Sequence, residues 1–389
     1  MPTATKLIQT LETRFGSGGY VRTFFCPGRV NLIGEHIDYN GGFVFPATIS
    51  MGIMAATRLR TDEQFRVYSL NLETEATFVV EANSTKDDSI GWANYVRGVL
   101  IYLKAKGHTL PGLDIVFEGD LPDGAGLSSS AALEVLTGYL ALRMAGVEDA
   151  DIDRTELALL CQAVENRFIG VNCGIMDQFS VANGLARHAM MLDCQKITAR
   201  QVPLELGQND LVIMNTNKER QLSESKYNER RAECEAALTL INRHRNYPDL
   251  CSAHQHDVDE FVKDPTLHRR ATHVVSEQGR VLAAVDVLEE GNLVAFGELL
   301  NASHHSLKND YEVSGTELDA LVEAAQSQPG CLGARMTGAG FGGCALAIVD
   351  KEKVEEFKQN VARQYQQATG RQAEFYQSKP GPGVHELEQ

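Results

Sequence analysis

Three stretches of this chain concentrate side chains able to do chemistry on a small polar molecule. The first, PGRVNLIGEHIDYNGG, runs from Pro27 to Gly42 and carries Arg29, Glu35, His36, Asp38 and Tyr39 among glycines. Glu35 and Asp38, three residues apart around His36, suit neighbouring hydroxyls of one ring, because ionised carboxylates accept charge-assisted hydrogen bonds. A buried strand would not carry so many charges and glycines, and a helix would not tolerate Pro27, Gly34 and the Gly41–Gly42 pair. The expectation is a strand from Val21 to Cys26 running into a polar loop. A charged surface loop with no ligand is the plain alternative.

The second stretch, GDLPDGAGLSSSAALEV, spans Gly119 to Val135. Gly124 and Gly126 let the backbone turn tightly. Ser128, Ser129 and Ser130 then open a helix whose first N–H groups have no intrahelical partner. An anion placed there meets those donors and the positive end of the helix dipole. The serine hydroxyls would add hydrogen bonds or ligate a magnesium ion. Plain capping is the alternative, since serine is a preferred N-cap, but three consecutive serines exceed what a cap requires. No G-x-x-x-x-G-K-[ST] occurs, so the loop lacks the usual phosphate-binding lysine. The third stretch, MTGAGFGG (Met336 to Gly343), could close over the same phosphates. It fails as a dinucleotide fingerprint because no strand-to-helix unit follows it.

Two further carboxylates stand out. Asp177, in CGIMDQF, has an apolar setting, and by its neighbours alone it reads as a carboxylate satisfying buried backbone donors. Glu165 lies beside the apolar stripe of a helix carrying Val164 and Phe168. A buried carboxylate needs a partner, which a magnesium ion would supply.

The elements that must position these residues follow from the rest of the 389-residue chain. It is 43% hydrophobic and 23% charged, and its formal net charge is −16. That charge argues against nucleic-acid binding and against adhesion to anionic membranes. No secretory signal or membrane span is expected. Eight cysteines without a C-x-x-C pair read as reduced side chains of a cytoplasmic protein. Helical spacing predicts helices over 5–15, 92–106, 155–168, 318–325 and 351–367, a helix following the serines, and a largely helical region over 223–307. Strands are expected at 43–48 and 51–59, joined by a tight turn, and at 65–70, 76–80, 113–117, 188–192, 211–215, 332–336, 344–349 and 374–376. GVNCGIMDQFS reads as a glycine-bracketed connection. Strands come in runs rather than alternating with helices, so the class is α+β. The pattern weakens over 199–208, which divides the chain into domains 1–205 and 206–389.

Together, in this order and at these separations, the three stretches resemble the GHMP kinase superfamily. GRVNLIGEHIDYNGG is similar to the signature of its galactokinase family, and the similarity extends through WANYVRG, ENRFIGVNCGIMDQ and YNERR. The resemblance implies a two-domain fold, with a mixed-sheet N-terminal domain and an α/β C-terminal domain flanking the active site. It implies ATP-dependent phosphorylation of D-galactose at the anomeric hydroxyl. Residue by residue, Glu35, His36, Ile37, Asp38, Asp177 and Tyr227 would bind the sugar. Gly124, Ala125, Gly126, Leu127, Ser128, Ser129 and Ser130 would cradle ATP phosphates, with Ser69 near the nucleotide. Ser130 and Glu165 would hold Mg2+. Asp177 would be the general base, with Arg29 beside it keeping it ionised and countering charge on the phosphoryl group. The working unit would be a cytoplasmic monomer. The alternatives are a kinase for N-acetylgalactosamine or arabinose, and a non-catalytic galactose and ATP sensor.

Overall fold

The structure is a computed structural model that describes residues 2–122, 124–218 and 223–388. Its largest sheet is mixed. β1 (Arg22–Asn31) lies between β13 (His385–Glu386) and β3 (Pro46–Leu59), followed by β6 (Leu113–Gly119), β4 (Phe65–Ser69) and β5 (Thr74–Phe78). β4 and β6 are parallel, and the other pairs are antiparallel. Period two divides its faces. Phe24, Ala55, Val67 and Ile115 join the main core, while Ala56, Tyr68 and Val116 pack on Leu7 and Leu11 of α1 (Ala4–Phe15). The main-core face carries α2 (Ala93–Ala105), α3 (Ser129–Met144), α4 (Arg154–Ala163) and α5 (Met176–Asn183). A three-stranded sheet of β2 (Phe43–Val44), β7 (His188–Asp193) and β8 (Thr198–Pro203) adjoins it.

The later half builds an antiparallel sheet in the order β10 (Cys331–Thr337), β11 (Cys344–Asp350), β9 (Asn209–Asn215), β12 (Glu374–Ser378). Its helices are α6 (Ser223–Ile241), α7 (Gln255–Phe261), α8 (Pro265–Glu289), α9 (Leu293–Ser306), α10 (Gly315–Gln326) and α11 (Val354–Thr369). The α+β class and the mixed sheet agree with the sequence reading. Among the described residues, no helix is long and apolar enough to cross a membrane.

Several local expectations are corrected. β1 does not stop at Cys26 but continues through Pro27 and Arg29 to Asn31. Its register against β3 shifts between Pro27 and Arg29, and a bulge is where a strand accommodates proline's missing donor. Gly28 is required there, because a Cβ would lie 2.6 Å from the Leu127 carbonyl oxygen. The strand thus passes the serine loop at contact distance. β3 is one 14-residue strand, not two joined by a turn. The helix expected over 155–168 widens after Ala163 into a π turn, Val164–Ile169, a feature frequent at functional sites. GVNCGIMDQFS is not only a connection, since α5 begins at Met176. β8 and β13 escaped the pattern reading, β8 because most of its residues are exposed and β13 because it is two residues long.

Candidate active site

Asp177 stands in the first turn of α5, and β1 carries Arg29 to it. Arg29 Nε and Nη2 both donate to Asp177 Oδ1, at 2.9 and 2.6 Å, while Nη1 donates to the Gly126 carbonyl at 2.7 Å. The Ser128 hydroxyl donates to Asp177 Oδ2 at 2.8 Å. Thus the strand, the serine loop and α5 converge on one carboxylate. Ser128 pays local strain for this position, with φ 67° in the left-handed region. Such strain in a non-glycine residue is held only where the surroundings over-determine it. Its side chain makes no capping bond to α3, so capping is not its function here.

Two cavities open on either side of this pair. One, of about 320 Å³, is lined by Gly124, Gly126, Ser128, Ser129, Ser130, Arg29, Asp177 and Ala339. The N-terminus of α3 faces it, and the first helical N–H groups supply donors for an anion. Ala125 and Leu127 turn their side chains into the core, so only their backbone is available to a ligand. Ser69 ends β4, where its hydroxyl accepts from Leu72 N at 3.3 Å, and it lines neither cavity.

The other cavity, of about 250 Å³, has Glu35, His36, Asp38, Asp177, Tyr227 and Arg29 in its wall. Burial, and then the charge of Glu35, raises the Asp38 carboxyl to about 6. Gly174 makes room for that carboxylate, because a Cβ there would lie 2.3 Å from Asp38 Oδ2. Glu35 Oε1 accepts from Gly338 N at 2.7 Å and faces the buried Arg335 guanidinium at 3.6 Å. Arg335 in turn donates to the Asn31 and Leu32 carbonyls, both at 3.0 Å. This charged scaffold from β10 fixes the point where β1 becomes loop. His36 has both ring nitrogens on protein atoms, Nδ1 with the Tyr39 hydroxyl and Nε2 with the Ala339 carbonyl. Ile37 is fully buried in the core, its carbonyl accepting from Asn40 and Gly42.

The π turn holds Glu165, 7% exposed, within hydrogen-bond reach of Ser130. Burial and then the Asp177 charge raise its carboxyl, and hydrogen bonds from Ser130, Cys173 and Gln178 offset part of that. Gln178 Nε2 donates to Glu165 Oε2 at 2.5 Å and lies 3.4 Å from Glu134 Oε2. Glu134 is fully buried, with Oε1 unpaired, and burial raises it to about 9. Among the described residues no lysine or arginine pairs with Glu165. A buried acid of this kind, next to a serine hydroxyl at an anion site, is the hard-oxygen donor set that magnesium takes alongside phosphate oxygens and water. The residues therefore fit that ion.

The sequence reading brought Arg29, Glu35, His36, Asp38, Asp177, Tyr227 and the serines to one place. Ala339 of the MTGAGFGG loop lines both cavities, as expected of that loop, whereas Gly174 and Asn228 in the cavity wall and the buried Arg335 were missed. Arg335 had a signal, a lone arginine between the apolar residues Ala334 and Met336 of a strand. Gly174 had none beyond being a glycine near Asp177.

Known proteins resemble this chain along nearly its whole length. Residues 9–59 match the galactokinase galactose-binding signature, 94–184 the GHMP kinases N terminal domain, and 284–367 the GHMP kinases C terminal. The chain is 49% identical over 389 residues to a galactokinase of Exiguobacterium sibiricum, covering 98% of each protein. It is 48% identical to one from Clostridium perfringens, covering 94% of this chain and 95% of that one. Among solved structures, the Lactococcus lactis galactokinase complexed with galactose superposes with a TM-score of 0.92 at 44% identity. That match covers 98% of this chain and 99% of the other. A Methanococcus jannaschii mevalonate kinase, at 18% identity and a TM-score of 0.64, shares the fold.

Proposed function

This chain belongs to the galactokinase family of the GHMP kinases, and we propose on that premise that it phosphorylates D-galactose at C1, producing galactose 1-phosphate and ADP from ATP. One observation carries the assignment of parts: a cavity walled by carboxylates and a cavity walled by the serine loop share Arg29, Asp177 and Ala339. Sugar in the first and triphosphate in the second would bring the acceptor hydroxyl and the γ-phosphorus together at those residues.

In the transfer, the C1 oxygen bonds to the γ-phosphorus as the bridging oxygen leaves with ADP, and the hydroxyl proton passes to Asp177 Oδ2. Arg29, held by the Gly126 carbonyl and Asp177 Oδ1, fixes the orientation of the Asp177 carboxylate and balances charge on the phosphoryl oxygens. Residues 124–130 hold the phosphates through backbone N–H groups and serine hydroxyls. Phosphoryl transfer depends mainly on such positioning and electrostatics. Ser130 and Glu165 would hold Mg2+, which when bound neutralises phosphate charge. Glu35, Asp38 and Tyr227 orient the sugar hydroxyls, and Ile37 has only its main chain to offer. Ser69 would lie near the nucleotide. Residues 1–205 carry most of the sugar and phosphate contacts, and 206–389 supply Tyr227 and the glycine loop. ATP as co-substrate and free cysteines support a cytoplasmic enzyme, and its working unit is proposed to be a single chain. Identification of galactose 1-phosphate by phosphorus NMR in a mixture of protein, galactose, ATP and magnesium tests this reading. Binding of both ligands with no ADP released would instead mark a sensor.

A further inference from the structure

His36 stands in the left-handed backbone region at φ 63° and is 3% exposed. Its Nε2 lies 3.1 Å from the Ala339 carbonyl oxygen. A carbonyl only accepts, so Nε2 carries the proton. In a neutral ring Nδ1 is then an acceptor, and it takes the Tyr39 hydroxyl at 2.9 Å. Having donated there, Tyr39 accepts from the Tyr311 hydroxyl at 2.8 Å, and Tyr311 accepts from the Cys234 thiol at 3.1 Å. The carbonyl at one end thus fixes the direction of every bond in the series. Burial, the largest influence on the ring, lowers its titration to about 3 and keeps it neutral. Tyr311 is fully buried, Cys234 is 1% exposed, and neither lines the carboxylate or the serine cavity.

We propose that His36 is a positioning residue rather than a sugar ligand: its ring latches the opening loop to Ala339, and the Tyr39–Tyr311–Cys234 series fixes the nitrogen that carries its proton. Both ring nitrogens are spent on protein partners, so a sugar hydroxyl could reach the ring only by breaking one of those bonds. The adjacent Glu35 clamps the same loop through Gly338 N. Ala339 lines both cavities, so the latch sets their spacing. The inference rests on reading the carboxylate cavity as the sugar site.

Nitrogen-15 NMR of the imidazoles tests it in the intact protein, the His36 resonances being assigned by their loss in His36→Gln. The expected spectrum is a neutral ring with the proton on Nε2, unchanged in tautomer when galactose is added. Tyr311→Phe should raise the KM for both galactose and ATP, by about fivefold for one lost hydrogen bond, because the loop it steadies borders both cavities. A proton on Nδ1, a tautomer change on adding galactose, or a Tyr311→Phe effect confined to galactose KM would overturn the proposal. So would no effect on either KM. Failure of the sugar-site reading shows separately, as absence of galactose binding to the wild type in calorimetry, and the tautomer of the sugar-free protein still decides the latch.

Discussion

Arg29 and Asp177 meet through a single carboxylate oxygen. Arg29 Nε and Nη2 both fall on Oδ1, at 2.9 and 2.6 Å, and among the described residues Oδ2 receives only the Ser128 hydroxyl. The two oxygens therefore divide the work. In the proposed transfer Oδ1 is the anchor, and Oδ2 would keep a lone pair for the proton of a bound hydroxyl.

Asp177→Asn removes that lone pair's basicity while preserving shape. Turnover should fall by about two orders of magnitude or more, while the galactose dissociation constant stays within about threefold, since a carboxamide still bonds the hydroxyl. A coupled ADP assay and calorimetry give the two numbers. Wild-type turnover in the variant would remove Asp177 from the role of base.

Gly174→Ala places a methyl group where Asp38 Oδ2 now sits, 2.3 Å away. The carboxylate must swing aside, so galactose KM should rise about tenfold or more with ATP KM little changed. Initial rates with each substrate varied in turn decide it. An unchanged galactose KM would show that Asp38 is not a sugar contact.

Burial and Glu35 raise the Asp38 carboxyl to about 6, and the proposed sugar contact would use its ionised form. Above that pH no proton is released on binding, and affinity is flat. Below it a proton must leave first, so galactose affinity should drop by about tenfold per pH unit. Calorimetry without ATP between pH 5 and 8 should show the break, and Asp38→Asn should abolish it. A flat profile in the wild type would contradict the assignment.

Ser130→Ala removes one oxygen from the proposed magnesium donor set and leaves Glu165 in its buried turn. The magnesium concentration for half-maximal rate should increase by about tenfold or more. Unchanged magnesium titrations in both Ser130→Ala and Glu165→Gln would count against these ligands.

Much of this site was legible because its residues are polar where the surrounding pattern is not. Glu35, Asp38 and the three serines have no reason to cluster unless something polar binds them. Boundaries were less legible. The polar side chains of Arg29 and Asn31 suggested a loop, yet both lie in β1, because their partners come from Asp177 and from Thr337 of β10, far off in sequence. The π turn at Glu165 leaves Leu157, Leu160 and Val164 at helical spacing, so periodicity gave no warning. Gly174 and the commitment of both His36 nitrogens are tertiary facts, set by side chains that approach only after folding.

The central claim is that carboxylates around one cavity select galactose for transfer at its anomeric hydroxyl. Steady-state kcat/KM for galactose, its C4 epimer, N-acetylgalactosamine and arabinose, each with ATP and magnesium, tests it most directly. The account predicts galactose as the best substrate, with the C4 epimer at least about a hundredfold poorer because it leaves a buried acceptor unpaired. A clear preference for N-acetylgalactosamine or arabinose, or equal rates for the two epimers, would contradict it.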